Sequence, residues 1–247
     1  MYILSVDTTA KTATSSVCTI KDGQLFPICS SQLNSTMTHS ESILPMIDFC
    51  LKNSNISLDD IDIIAISSGP GSFTGVRIGI ATVKGLAFGS DKIKCVSVSA
   101  LEALAYNVDN CKSGTIVCPC MDARREQFYN AIFEIDGDGT LSRLCQDRAI
   151  DCKELFGELM NKYIDKDIVL VGDGASLAYK LFSSFEGFDK TKIAFCGYDR
   201  TYQSGISLAK CGYLHAQSAV SAEDISPVYL RMSQAERERC EREGTEK

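Results

Sequence analysis

The 247-residue sequence has no tryptophan, two histidines and five prolines. Each scarcity closes a class of function. His39 and His215 stand 176 positions apart, so no paired-histidine metal motif such as H-x-x-x-H exists. Among twelve cysteines there is no C-x-x-C, only Cys118-Pro119-Cys120, and zinc sites usually need close-spaced pairs. A secreted disulfide framework is also a poor fit, because cysteine falls below the roughly 8–10% of such scaffolds. Cys18, Cys29, Cys50, Cys95 and Cys118 lie inside apolar runs, where reduced thiols act as small hydrophobes. The opening Met1–Asp7 has no basic region and no long apolar core, so it does not read as a signal peptide. No stretch approaches 18 uncharged apolar residues, which argues against a membrane span. A reducing, cytoplasmic setting is expected.

Basic charge is also lacking. The formal net charge is -7. Residues 1–110 hold 7 basic and 10 acidic side chains, and residues 111–232 hold 14 and 17. No segment has the excess needed to neutralise many phosphates, so tight nucleic-acid binding by this chain alone is not expected. The first 110 residues are poor in charge of either sign, as the cores of protein–protein interfaces are.

What remains is an ordinary globular composition, 45% apolar and 23% charged, long enough for one large domain or two small ones. Residues 3–7, 14–20 and 25–33 read as a three-stranded meander, with Asp22-Gly23 as a hairpin turn and Pro27 marking an edge strand. Ile43, Met46, Ile47, Cys50 and Leu51 recur at helical spacing, with a start near Ser42 that leaves Pro45 in the first turn. A buried strand at 61–66, a helix at 76–88, a strand at 94–98 and a helix at 100–106 capped by Ser99 follow. The order β-β-β-α-β-α-β-α is that of a ribonuclease-H-like unit, the repeated half of actin-like ATPases. Residues 107–114 form a polar linker, and the second half reads as a degraded copy. Domains are expected at 1–108 and 109–205, with 206–232 completing the first and 233–247 a charged tail.

Gly69-Pro70-Gly71-Ser72-Phe73-Thr74-Gly75-Val76-Arg77-Ile78-Gly79 carries the strongest signal. It follows a strand and opens a helix, where glycines and free N–H groups can receive an anion. It is neither a Walker A loop nor G-x-G-x-x-G. Gly69, Gly71, Ser72 and Thr74, with Asp7, Thr8 and Thr9 after the first strand, thus form a candidate phosphate loop, vestigial because no glycine separates Asp7 from the hydroxyls. The plain alternative is a tight turn with Thr74 as the helix cap. Gly75 and Gly79 share a helix face, and small residues there permit close approach of the chain's own sheet or of another subunit.

These residues resemble the bacterial TsaB (YeaZ) family. The resemblance rests on Ile3–Thr9, Ser42–Pro45, Gly69–Gly79, Lys84–Ala87, Val98–Leu101, Met121–Arg124 with Glu126 and Tyr129, and Pro227–Arg231. It implies a two-domain actin-like (Hsp70-type) ATPase fold and a place in the machinery that makes tRNA threonylcarbamoyladenosine. It implies a partner subunit with no catalytic residues, metal or cofactor of its own. The catalytic subunit TsaD would be its partner, an ATPase, TsaE, would join, and tRNA would be met only through the complex. The possibility of nucleotide at the shared interface stays open. A homodimer would form when the chain is alone. The helical face used for both contacts would include Leu44, Ile47 and Leu51 of one helix, and Gly75, Val76, Arg77, Gly79, Ile80 and Val83 of the next. On that reading Gly79→Trp would block the partner and spare the fold.

Two other classes compete. An actin-like-fold kinase or ATPase would use Asp7, Thr8 and the Gly69–Gly75 loop. A peptidase has no supporting Ser/His/Asp or Cys/His spacing. Direct RNA contact would have to use Arg124, Arg125, Arg143 and Arg148, which are interleaved with Asp122, Glu126 and Asp147 and read as a mixed-charge sheet face.

Overall fold

A computed structural model describes residues 1–108 and 111–232. The charged tail at 233–247, and Asp109 and Asn110 of the linker, lie outside the described residues.

The meander forms as the alternation and turn residues predict. Strands β1 (Tyr2–Asp7), β2 (Ala13–Lys21) and β3 (Gln24–Leu33) pair antiparallel in sequence. Asp22 and Gly23 both take positive φ, 50° and 76°, the conformation a two-residue hairpin needs. Helix α1 (His39–Ser54) starts earlier than the apolar period suggested. The Thr38 N–H and hydroxyl both donate to the Glu41 carboxylate, at 3.1 and 2.7 Å, and this reciprocal cap moves the start upstream. Pro45 therefore lies inside the helix, where its exposed position limits the cost of the missing hydrogen bond. Strand β4 (Ile63–Gly69), helix α2 (Phe73–Leu86), strand β5 (Lys94–Ser99) and helix α3 (Ala100–Ala105) complete the first half. The sheet order is β3-β2-β1-β4-β5, with β1, β4 and β5 parallel. Ser99 caps α3 by accepting the Glu102 N–H at 3.2 Å.

The second half repeats this order in full. Its strands are β6 (Ile116–Asp122), β7 (Gln127–Ile135), β8 (Leu141–Asp151), β9 (Ile168–Val171) and β10 (Ile193–Phe195). Its helices are α4 (Cys152–Lys162), α5 (Ala175–Phe182) and α6 (Gly205–Leu214). The sheet runs β8-β7-β6-β9-β10, the same connectivity as the first. The degraded appearance lay in the sequence signal. Strand β10 has three residues, too few to show a period, and it completes the unit. The result is the two-sheet, actin-like α/β architecture.

The inner strands of each sheet are buried on both faces. In the first, Leu4, Val6, Ile64 and Ile66 pack under α1 and α2, while Ile3, Ile63 and Ala65 point to the opposite face and meet Leu208, Ala209 and Cys211 of α6. In the second, α4 and α5 cover Cys118, Ile132 and Leu170 with Leu155, Phe156 and Phe182. Its other face, carrying Val117, Met121 and Phe133, is covered by Leu101 and Leu104 of α3. The third helix of each half thus packs on the sheet of the other. Close approach is possible because α6 places Gly212 on β4, where an added Cβ would sit 2.5 Å from the Ala65 Cβ.

Candidate functional site

The loops that leave β1 and β4 meet at the amino end of α2. The Asp7 side chain is fully buried and accepts both the Thr9 N–H (2.8 Å) and the Thr9 hydroxyl (2.7 Å). Burial pushes its carboxyl above the usual range, although the bonds from Thr9 and Ser67 oppose that shift. Thr8 donates its hydroxyl to the Gly75 carbonyl at 2.7 Å, and the Thr9 carbonyl accepts the Ser72 N–H at 2.6 Å. Any Cβ at Gly71 or Gly75 would fall on the carbonyl oxygens of Thr9 or Thr8, well inside contact distance. These glycines let the helix settle onto the turn after β1. The cap is Ser72 rather than Thr74, its hydroxyl accepting the Gly75 N–H at 3.2 Å, because α2 begins at Phe73. The Ser72, Gly75 and Val76 N–H groups, which could have held an anion, are thus bonded to Thr9 O, Ser72 Oγ and Ser72 O. Gly69, with φ of 118°, lies against the Val228 carbonyl.

The expected partner face needs correcting. Gly75, Val76, Gly79, Ile80 and Val83 of α2, and Ile47 of α1, are buried in the chain itself. A Cβ at Gly79 would stand 2.6 Å from the Thr8 Oγ1 and 3.1 Å from the Ile66 Cδ1. Gly75 and Gly79 do share a face, but it is the one turned to β1 and β4, so Gly79→Trp would disrupt the fold. Of the residues assigned to the face, only Leu44, Leu51 and Arg77 reach the surface. The outward side of α2 is made by Thr74, Arg77, Ile78, Ala81 and Gly85, and that of α1 by Leu44, Pro45 and Asp48. The sequence held a signal for this: once Val76, Ile80 and Val83 are core, helical spacing turns Ile78 and Ala81 outward.

Residues 225–232 return across the mouth of the site. The Val228 N–H donates to the Ser68 carbonyl at 2.8 Å. Tyr229 stacks on Phe73 with ring centres 3.9 Å apart and planes within 7°. The Arg77 guanidinium lies 4.6 Å from the Phe73 centroid, and its Nε donates to the Tyr229 hydroxyl at 2.9 Å. Arg231 donates to the Ala123 carbonyl at 2.7 Å, joining this segment to the β6–β7 turn. Phe73 and Tyr229 lie far apart in the chain, so no local pattern announced the cluster.

In the second half the Gly172–Gly174 loop packs on β6 in the same way, with the Gly174 N–H bonded to the Cys120 carbonyl at 2.9 Å. Asp173 behind it is pushed up to about 6, first by burial and then by the neighbouring Asp122 charge, against opposing backbone hydrogen bonds. Arg143 is held by Asp147 (2.6 Å) and Glu102 (3.3 Å), and Arg148 by Glu158 (2.6 Å). Arg124 and Arg125 instead stand exposed. His39 meets the Ala10 carbonyl and His215 the Glu102 carboxylate, each at 2.7 Å. Among the described residues no group of three or more His, Cys, Asp or Glu side chains is placed to hold a metal ion. No described helix is long and apolar enough to cross a membrane.

Comparison with known proteins places this geometry. A family model described as TsaD, tRNA N6-adenosine threonylcarbamoyltransferase, matches residues 33–238. The tRNA threonylcarbamoyladenosine biosynthesis protein TsaB of Haemophilus influenzae is 31% identical over 197 residues, covering 78% of this chain and 80% of that protein. The Bacillus subtilis TsaB protein is 30% identical over 199 residues, covering 80% and 82%. The solved structure of YeaZ from Pseudomonas aeruginosa superposes with a TM-score of 0.72 at 23% identity, covering 93% of this chain and 99% of that one.

Proposed function

Since the chain belongs to the TsaB (YeaZ) family, we propose that it acts in tRNA threonylcarbamoyladenosine biosynthesis as a noncatalytic subunit. In this reading it supports threonylcarbamoyl transfer by binding a TsaD-type catalytic subunit. The observation that carries the noncatalytic part is the seating of the Thr8 and Thr9 carbonyls on the amino end of α2. There the Ser72, Gly75 and Val76 N–H groups are taken up by the chain's own oxygens. The partner surface is the outward side of α1 and α2, where Leu44 is half exposed and Ile78 and Ala81 are accessible. The chain brings no cofactor of its own, pairs with itself through the same surface when alone, and is joined in the complex by a TsaE-type ATPase. tRNA reaches it within that complex.

Size-exclusion chromatography with a TsaD-type subunit tests the reading. The two chains should co-elute. Leu44→Asp combined with Ala81→Arg should separate them while leaving thermal stability within about 0.5 kcal/mol, as exposed substitutions do. Co-elution of the double variant would remove α1 and α2 from the interface. Calorimetric ATP binding by the isolated chain would remove the noncatalytic assignment.

A further inference from the structure

Four arginines that the sequence scatters over 154 positions meet along one rim of the molecule. Arg77 projects from α2 and is held by Phe73 and Tyr229. Two residues beyond Tyr229, Arg231 reaches the carbonyl of Ala123. Ala123 opens the β6–β7 turn, whose next two residues are Arg124 and Arg125. That turn has an unusual shape. Arg124, Arg125 and Glu126 all take positive φ, 64°, 57° and 57°. Each such residue costs on the order of 1 kcal/mol when it is not glycine. The shape is held by the Asp122 carboxylate accepting the Arg124 N–H (2.7 Å), by the Gln127 N–H on the Arg124 carbonyl (3.2 Å), and by Arg231 from outside. It carries two exposed guanidinium groups, neither in an ion pair with another described residue. By contrast Arg143 and Arg148, on the neighbouring strand, are both paired. Among the described residues the carboxylates beside the turn are Asp122, turned back onto the Arg124 N–H, Glu126, Asp151 opposite Gln127, and Asp173 next to Asp122. The turn nevertheless presents two exposed, unpaired guanidinium groups on a molecule that is negative overall.

We propose that Arg124, Arg125 and Arg231, beside Arg77 at the edge of the partner surface, form a phosphate-contacting patch through which this chain touches RNA directly within the tRNA-modifying complex. The proposal rests on the function proposed above. Guanidinium groups suit it, because their planar fork matches phosphate oxygens and they stay charged. Phosphate contacts set position without reading sequence, and the patch offers no deep base pocket. Binding by the patch alone is weak, as three charges on an acidic protein require, and it strengthens the complex's hold on RNA that is chiefly gripped elsewhere.

The test titrates a fluorescein-labelled anticodon stem-loop RNA with the complex of this chain and a TsaD-type subunit, at about 50 and 200 mM salt. Arg124→Gln/Arg125→Gln should weaken binding roughly tenfold at the lower salt and flatten the salt dependence by about 1.5 log units per log unit of salt. Lys180→Gln/Lys190→Gln, with the same loss of net charge elsewhere, should change neither. Unchanged affinity and slope for the arginine variant would overturn the proposal. So would loss of co-elution with the partner subunit, which would make the rim a protein contact. If the unaltered chain never co-elutes, the proposed function fails. The patch is then decided by the isolated chain, where weak binding at low salt must vanish in the arginine variant and persist in the lysine one.

Discussion

Gly79→Ala adds one methyl group to the middle of α2, and its effect follows from two opposing quantities. Replacing glycine by alanine inside a helix should stabilise by about 1 kcal/mol. At this position the new Cβ would stand 2.6 Å from the Thr8 Oγ1 and 3.1 Å from the Ile66 Cδ1, both on buried residues. Overpacking of that kind costs about 1–3 kcal/mol. Displacing Thr8 also breaks its 2.7 Å bond to the Gly75 carbonyl, for about 1 kcal/mol more. The net expectation is a loss of about 2 kcal/mol, or roughly 4–8 °C in melting temperature for a chain of this size. Gly85→Ala serves as the internal control. It lies on the same helix, is exposed, and has nothing within 4 Å of its Cβ position. It should stabilise by up to about 1 kcal/mol. Adding Thr8→Ala to Gly79→Ala removes the obstructing oxygen, so the double variant should be less destabilised than the sum of the singles. Urea denaturation followed by circular dichroism reads the unaltered chain, the three single variants and the double variant. A Gly79→Ala protein as stable as the unaltered chain, or strict additivity in the pair, would refute the seating of α2 on Thr8.

Two further expectations concern titrating groups. Asp173 is pushed up to about 6 by burial and by Asp122, while its unfolded value is near 3.8. The folded state therefore holds its proton more tightly, and the resulting stability is present below pH 3.8 and lost as pH rises toward 6. Asp173→Asn should then stabilise at pH 7 by on the order of 2 kcal/mol and flatten the stability profile between those values; a variant less stable at pH 7 would contradict this. Cys18, Cys95 and Cys152 are raised to about 11 and Cys50 to about 12, burial being the largest cause in each case. Brief treatment of the native protein with iodoacetamide at pH 8 should leave these four unmodified by mass spectrometry, and urea should expose them. Alkylation of Cys18 without denaturant would show that β2 is less enclosed than described.

Local rules made the meander, the Asp22-Gly23 turn, the edge position of β3 and the Ser99 cap legible in the sequence. They depend on neighbours a few positions apart. The orientation of α2 was legible only in its apolar spacing, which turns Ile78 and Ala81 outward. The Gly75–Gly79 spacing announces a close approach, but the contacting group is Thr8, whose distance in sequence hides it. The same limit applied to Tyr229 on Phe73 and to Arg231 on Ala123. Two arginines assigned to one mixed-charge face turned out to be neutralised, and two others stand free. Only the three-dimensional arrangement of Glu102, Asp147 and Glu158 separates them. The start of α1 was misplaced for a different reason. The apolar period begins at Ile43, and the polar capping turn at Thr38–Glu41 extends the helix beyond it.

The exchange of α3 and α6 between the two sheets has a consequence for synthesis. Ile3, Ile63 and Ala65 are made long before the helix that covers them, which ends at Leu214. At translation rates of roughly 5–20 residues per second, the first sheet waits several seconds after α3 emerges with one apolar face uncovered. During that interval the nascent chain is exposed to misassociation. A fragment ending at residue 108 would remain so permanently, and should be insoluble without α6 supplied in trans. Each half completes the core of the other, so neither is expected to fold as an independent unit.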